Sequence, residues 1–340
     1  MKYNISSRRY LGNKFKLLPF IRETVENECS NINTFFDVFS GTGSVASAFT
    51  DKCLIVNDLM YSNYLAALTW FSPEKYDERK LEEYVGRYNS LRLLDDNYMS
   101  INFGNTYFSV NDCKKIGFIR EDIEAEYNSG NINGKERAIL ITSMIYSMDK
   151  IANTCGHYDS YIQGITYEDR FFLNLPDLDY DVNPNNQCYN MDSNELAKKV
   201  TCDIAYLDPP YNSRQYCDAY HLLENVAEWK KPQVYGVAKK MDRSQMKSEY
   251  CKVTAANALE DLVENLNCRY ILMSYNNNGS KFQIRSNAKI SDQQILEILS
   301  KRGEVKIFKK DHRAFSAGKS ENNQNQERLF LCKVNKKKRI

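Results

Sequence analysis

Apolar residues in this chain fall into two kinds of run, and their spacing separates sheet from helix. Short unbroken runs bounded by turn residues read as buried strands; apolar residues three to four apart read as a helix face. Phe35 to Phe39 (FFDVF) is a run of the first kind. It breaks at Ser40-Gly41-Thr42-Gly43, and Ser44 to Phe49 then suits a helix. Cys53 to Val56 is a second strand, ending in Asn57-Asp58 and followed by a predicted helix from Tyr61 to Phe71. Later, Asp203 to Leu207 predicts a strand that runs into Asp208-Pro209-Pro210-Tyr211. Tyr270 to Ser274 predicts another, and Glu304 to Phe308 and Arg328 to Lys333 read as closing strands. Leu259, Leu262, Val263 and Leu266 share one face of a predicted helix over Ala255 to Leu266, and Ile295 to Leu299 lies in a further helix. Strands each followed by a helix predict an α/β protein with a doubly wound, mostly parallel sheet.

The middle of the chain breaks this pattern. Pro73 to Met99 is charged and helical in composition. Glu136 to Ala152 carries Leu140, Met144 and Met148 at helical spacing, and the polar stretch Tyr127 to Gly134 reads as a loop before it. Tyr161 to Asn194 has no clear period. The expected organisation is a core made of residues 1–71 and 181–340, interrupted by a mostly helical insertion over 72–180.

Composition narrows the class further. With 42% hydrophobic and 26% charged residues, 340 residues are ample for a large core. No stretch approaches the roughly 20 apolar residues that span a bilayer, and the first residues lack a signal peptide's apolar run, so a cytoplasmic location is expected. Ten cysteines without a C-x-x-C pair read as reduced thiols. His157 near Cys155, and His221 four residues after Cys217, lack the paired spacing of a zinc site, so no metal is expected. A net charge of +2 neither demands nor excludes a polyanionic partner. The cationic tail Lys336 to Arg339 reads as solvated chain or as a non-specific phosphate contact.

Two turns carry the candidate chemistry. Gly41 and Gly43 allow the backbone to approach a ligand closely at the carboxyl edge of the sheet. The pattern is neither G-x-G-x-x-G nor a P-loop, which disfavours a dinucleotide or a nucleoside triphosphate. Asp58, at the end of the next strand, is placed to accept hydrogen bonds from two ribose hydroxyls, or is a simple turn residue. In Asp208-Pro209-Pro210-Tyr211 the prolines fix the backbone, so a carboxylate, a carbonyl and an aromatic ring are held on one rigid turn.

FSGTG and DPPY, in this order, resemble the cofactor and catalytic motifs of DNA adenine-N6 methyltransferases. RRYLGNKFKLLPFI resembles the segment that precedes the glycine motif in the Dam-like alpha group, which places its target-recognition region between the two motifs. MDKIANTCGHYDSY, DIAYLDPPYNSRQY with YHLL, and SYNNNG extend the likeness over most of the chain, most specifically to type II modification methylases. The resemblance implies a Rossmann-like S-adenosylmethionine-dependent core. It implies that Tyr10 and Lys14 face the methionine end of the cofactor, that Asp37, Phe39, Ser40, Gly41 and Gly43 form its pocket, and that Asp58 holds the ribose. Asp192 matches loosely as a contact to the cofactor's adenine. Ser40 is a mild departure, since that position is often Ala or Cys.

The same resemblance implies that Asp208, Pro209, Pro210 and Tyr211 are catalytic. An exocyclic amine is a poor nucleophile, and hydrogen bonds to a carboxylate and a carbonyl localise its lone pair. A base in duplex DNA must first be flipped out, and Tyr211 offers a stacking face. The expected partner is double-stranded DNA, with a cognate restriction endonuclease as a further partner. Asn153, Thr154, His157 and Tyr158 are candidates for contacting the target strand. Lys150 and Arg214 are candidates for phosphate contact, as are Lys114, Lys115 and Arg120 in the insertion, with Lys230 to Tyr250 as the alternative recognition segment. Methylation of RNA or of a protein amide, or a catalytically silent DNA-binding relative, are the competing readings.

Overall fold

The computed structural model describes residues 2–178, 181–210, 213–276, 289–311 and 326–335. Tyr211, Asn277 to Gly279 and the cationic tail therefore lie outside the described residues. Seven strands form one sheet: β1 Thr34–Asp37, β2 Cys53–Asn57, β3 Gln187–Tyr189, β4 Ile204–Leu207, β5 Tyr270–Asn276, β6 Gly303–Asp311 and β7 Gln326–Val334. Their order is β3-β2-β1-β4-β5-β7-β6. The first five are parallel, and β7 runs antiparallel to both β5 and β6.

Alternation along the strands explains why helices cover both faces. Phe35, Leu54, Val56, Ile204, Tyr206 and Leu272 point to one side, where they pack with Ile21 and Val25 of helix Leu18–Glu28 and Phe71 of helix Tyr61–Phe71. Phe36, Ile55, Ala205, Leu207, Ile271 and Met273 point to the other, against helices Ala255–Asn265 and Asp292–Ser300. A parallel sheet buried on both faces shows this as continuous apolar runs, which is why the strands were readable.

The chain leaves β1 and winds to β2 on one side, then returns through β4 on the other. The gap between the carboxyl ends of β1 and β4 is the switch point where doubly wound sheets bind ligands.

A third core lies outside the sheet. Helix Gly134–Ile151 is buried nearly all round, as a central helix must be, and packs against helices Tyr61–Phe71 and Val110–Asn128. Its buried hydroxyls are satisfied: Thr69 Oγ1 donates to Thr142 Oγ1 (2.9 Å), and Tyr3 OH lies 3.1 Å from Ser147 Oγ. This core is not confined to 72–180, because Met60, Leu65 and helix His221–Glu228 complete it.

Several local expectations change. The run Phe35 to Phe39 leaves the sheet after Asp37, and Ser44 to Phe49 forms only a single 3-10 turn, Ala46–Phe49. Helix Leu18–Glu28 was not foreseen, although Pro19 in its first turn is a start signal. Helix Val110–Asn128, capped by Ser109 Oγ accepting from the Asp112 N–H, was not foreseen either. The three-residue edge strand β3 lies in the stretch that shows no period.

Candidate active site

A cleft opens at the switch point. Its wall holds Tyr10, Lys14, Asp37, Phe39, Ser40, Gly41, Asp58, Asp192, Asp208 and Pro210, so one cavity unites these residues from five separate stretches of chain. Three neighbouring parallel strands each deliver a carboxylate: Asp37 ends β1, Asp58 follows β2 and Asp208 follows β4.

Asp37 is 1% exposed. Its Oδ2 accepts the Ala46 N–H at 3.2 Å, while Oδ1 is buried with no hydrogen-bond partner among the described residues. Burial, then the nearby Asp208 carboxylate, push its pKa up to about 8. A buried oxygen without a protein partner, on the wall of the cleft, is open to a hydrogen bond with a bound molecule. Ser40 Oγ is buried in the same condition.

Asp58 is already engaged. Oδ2 accepts the Gly41 N–H at 2.8 Å, and Oδ1 accepts the Met60 N–H at 2.8 Å and Asn63 Nδ2 at 3.1 Å. These bonds lower its pKa, yet burial dominates and the net shift is upward. Asp58 thus clamps the glycine turn to the start of helix Tyr61–Phe71 as well as facing the cleft.

Gly41 needs its glycine twice over. Its φ is +53°, and a Cβ there would sit 3.0 Å from the Tyr10 ring. Gly43, at φ +83°, faces away from the cleft, where a Cβ would meet the Phe71 ring at 2.8 Å. Its role is to fit the turn against the helix behind it. Tyr10 is held by stacking on Tyr220 (4.8 Å, 11°) and Tyr216 (5.4 Å, 29°), and its hydroxyl accepts from Asn63 Nδ2 at 2.9 Å.

Asp208 faces Lys14, whose Nζ lies 2.9 Å from Oδ2. Burial raises the Asp208 pKa, and Lys14 opposes that rise. Lys14 also donates to the Gly12 carbonyl at 3.1 Å. The residue matched by resemblance to the cofactor's methionine end therefore sits on the Asp208 carboxylate. Pro209 is buried behind Pro210, which lines the cleft. Asp192 lies at the opposite wall, but its Oδ1 caps helix Ser193–Ala197 by accepting from the Asn194 and Glu195 N–H groups at 2.9 and 3.2 Å.

Other wall residues were not anticipated. Tyr250 packs edge-to-face on Phe39 with ring centres 4.9 Å apart. Asn57 braces the wall from β2, donating to the Val38 and Met191 carbonyls at 3.2 and 3.1 Å. Asn57 stands beside Asp58 at a strand end, a position that could have marked it; Tyr250 lies in a stretch without period and carries no such signal.

The candidate DNA contacts divide. Arg120 is fully buried, with Nε and Nη2 donating to the Val226 and Ala227 carbonyls at 2.8 and 3.1 Å, so it caps the end of helix His221–Glu228 and does not face a phosphate. Asn153 and Tyr158 are likewise buried: Asn153 Nδ2 donates to the Ile162 carbonyl at 2.7 Å, and the Tyr158 N–H to the Ala219 carbonyl at 2.6 Å. Lys114 pairs with Asp96 at 3.3 Å. Lys150 is exposed, and Arg214 is 48% exposed beside Asp159.

Comparison with known proteins finds a matching family and several similar chains. A family model described as D12 class N6 adenine-specific DNA methyltransferase matches residues 10–286. The modification methylase StsI of Streptococcus sanguinis is 33% identical over 342 residues, covering 95% of this chain and 51% of that protein. The type II methyltransferase M.FokI of Planomicrobium okeanokoites is 32% identical, covering 95% of this chain and 52% of that protein. The chain spans about half the length of these two relatives. M.NlaIII, a type II methyltransferase of Neisseria lactamica, is 30% identical, covering 92% of this chain and 94% of that protein.

Proposed function

The chain belongs to the D12 class of N6 adenine-specific DNA methyltransferases, and from that membership we propose that it moves a methyl group from S-adenosylmethionine to the N6 amine of an adenine flipped out of duplex DNA. The observation that carries this reading is the convergence of Asp37, Asp58 and Asp208 on one cleft beside the glycine turn and the Asp-Pro-Pro element.

The residues present fit the cofactor. The unpaired Asp37 Oδ1 suits a cationic or N–H donor, Asp58 suits ribose hydroxyls, and Phe39 with Tyr250 makes an apolar wall for a flat base. Asp192 stands at the far wall and contributes its second oxygen, since Oδ1 is spent on the helix cap. When bound, S-adenosylmethionine supplies an electrophilic methyl group.

Asp208 and the Pro209 carbonyl accept hydrogen bonds from the target amine and concentrate its lone pair toward the cleft. As positive charge develops on that nitrogen, the same two acceptors stabilise it without reorganising, because the proline pair holds them fixed. Lys14 occupies Oδ2 of Asp208, which leaves Oδ1 for the amine, and its charge opposes the upward pKa shift that burial imposes on the carboxylate. In this reading Tyr211, next in the chain, supplies the stacking face.

The relatives' names, modification methylase and type II methyltransferase, support a restriction-modification setting with a cognate endonuclease as the companion activity. No described helix is long and apolar enough to cross a membrane. The test is to offer methyl-labelled cofactor together with duplex DNA, RNA and protein. Label on adenine N6 in duplex DNA is the expected result; label only on RNA or protein rejects the proposal.

A further inference from the structure

The segment that follows helix His221–Glu228 holds six cations and two anions between residues 229 and 250, whereas the whole chain sums to +2. The segment therefore carries a net charge of +4 and the rest of the chain sums to −2. Within the segment the backbone folds back on itself: the Tyr235 N–H donates to the Lys240 carbonyl at 2.8 Å and the Lys240 N–H to the Tyr235 carbonyl at 2.9 Å. At the tip, Tyr235 is 59% exposed and Val237 69% exposed.

This finger is built with some strain and is firmly anchored. Trp229, Lys231 and Lys239 all have positive φ, half of the non-glycine residues in that region among those described. Such backbone persists only where its surroundings hold it. Tyr98 OH donates to the Pro232 carbonyl at the root (2.6 Å), and Tyr107 OH to the Ala238 carbonyl near the tip (2.9 Å). Lys240 Nζ reaches Asp159 at 2.7 Å, and Arg214, six residues past Asp208, reaches the same carboxylate at 3.7 Å. Beyond the finger, the Ser248 N–H donates to Gln215 Oε1 at 2.8 Å and Ser248 lines the cleft. An exposed apolar tip is thus tied, through one carboxylate, to the chain just after the catalytic turn.

We propose that the finger around Tyr235–Lys240 is a duplex-DNA contact, with Tyr235 and Val237 meeting bases beside the target and Lys239 and Lys247 meeting phosphates. The proposal rests on the DNA methyltransferase reading and places part of the DNA interface after the Asp-Pro-Pro turn, outside the insertion. Cationic residues around an apolar tip match a polyanion whose bases present flat apolar faces, and apolar side chains inserted at base steps are a known way of engaging bent or opened duplex.

The probe is a fluorescently labelled mixed-sequence duplex oligonucleotide, followed by anisotropy over a range of salt concentrations. The double substitution Tyr235→Ala with Val237→Ala should weaken duplex binding about tenfold with its salt slope unchanged. Lys239→Ala with Lys247→Ala should reduce the salt slope by about one per lysine. Calorimetric titration with S-adenosylmethionine should give wild-type affinity in both variants, which separates loss of contact from misfolding. Duplex affinity and salt slope equal to wild type in both variants would overturn the proposal. Wild-type protein that binds duplex but never methylates it would sink the methyltransferase reading while leaving these binding differences to judge the finger. Absence of duplex binding by wild-type protein would remove both.

Discussion

Lys14 Nζ and Asp208 Oδ2 lie 2.9 Å apart, with side chains only 6% and 18% exposed. The pair joins the segment before the glycine turn to the Asp-Pro-Pro element, and Lys14 bears on the charge state of the group proposed to grip the amine. Burial raises the Asp208 pKa and Lys14 opposes it. The proposed mechanism needs the carboxylate, so on that proposal activity is present above this pKa and lost as pH falls through it. Lys14→Met should therefore shift the acid limb of the kcat/KM profile to higher pH, and Lys14→Arg should restore much of the wild-type profile. An acid limb that stays in place in Lys14→Met would mean that the pair does not set the charge of Asp208.

Asp37 predicts a pH effect on stability. Its folded pKa is raised to about 8 by burial and by Asp208, against an unfolded value of about 4. The folded protein then holds a proton that the unfolded chain has released, so this group's contribution to stability declines as pH rises between those values. Asp37→Asn should abolish that decline. Urea midpoints of ligand-free wild type and variant should agree at the acid end of the window and separate toward pH 8, with the variant the more stable. Parallel curves would contradict a buried, protonated Asp37.

Asp58 has two duties, and its removal should reveal both. Loss of its hydrogen bonds to Gly41, Met60 and Asn63 should cost about 1–3 kcal/mol of folding stability in Asp58→Ala, read as a lower urea midpoint. Calorimetry should show weaker S-adenosylmethionine binding as well. Unchanged stability would show that the clamp on the glycine turn is dispensable.

Arg120 should behave as a structural residue. Arg120→Ala removes the donors to the Val226 and Ala227 carbonyls and the 2.7 Å ion pair with Glu124. A destabilisation of about 2–3 kcal/mol is expected, with the salt slope of duplex binding unchanged in folded protein. A reduced slope would return Arg120 to the DNA interface.

The contrast between Asp58 and Arg120 shows how far the sequence could be read. The strands before Asp58 and Asp208 are buried on both faces, so they appear as apolar runs whose ends mark those two residues, whereas Asp37 came from resemblance, inside a run read two residues longer than the strand. Tyr10 and Lys14 came from resemblance, and their partners, Gly41 and Asp208, needed the fold. Arg120 looked like a surface cation because charge in sequence says nothing of burial; the carbonyls that absorb it come from a helix about a hundred residues later. Tyr250 was invisible for the same reason: it reaches the cleft along an aperiodic segment, and only tertiary packing sets it against Phe39.

The most direct measurement follows labelled methyl groups from S-adenosylmethionine onto plasmid DNA with wild-type protein and with Asp208→Ala, by nucleoside chromatography alongside cofactor titration. The account predicts label on N6-methyladenine with wild type. It predicts a loss of roughly a hundredfold or more in Asp208→Ala, with cofactor affinity largely retained. Label on cytosine with wild type, or Asp208→Ala methylating adenine at the wild-type rate, would contradict it.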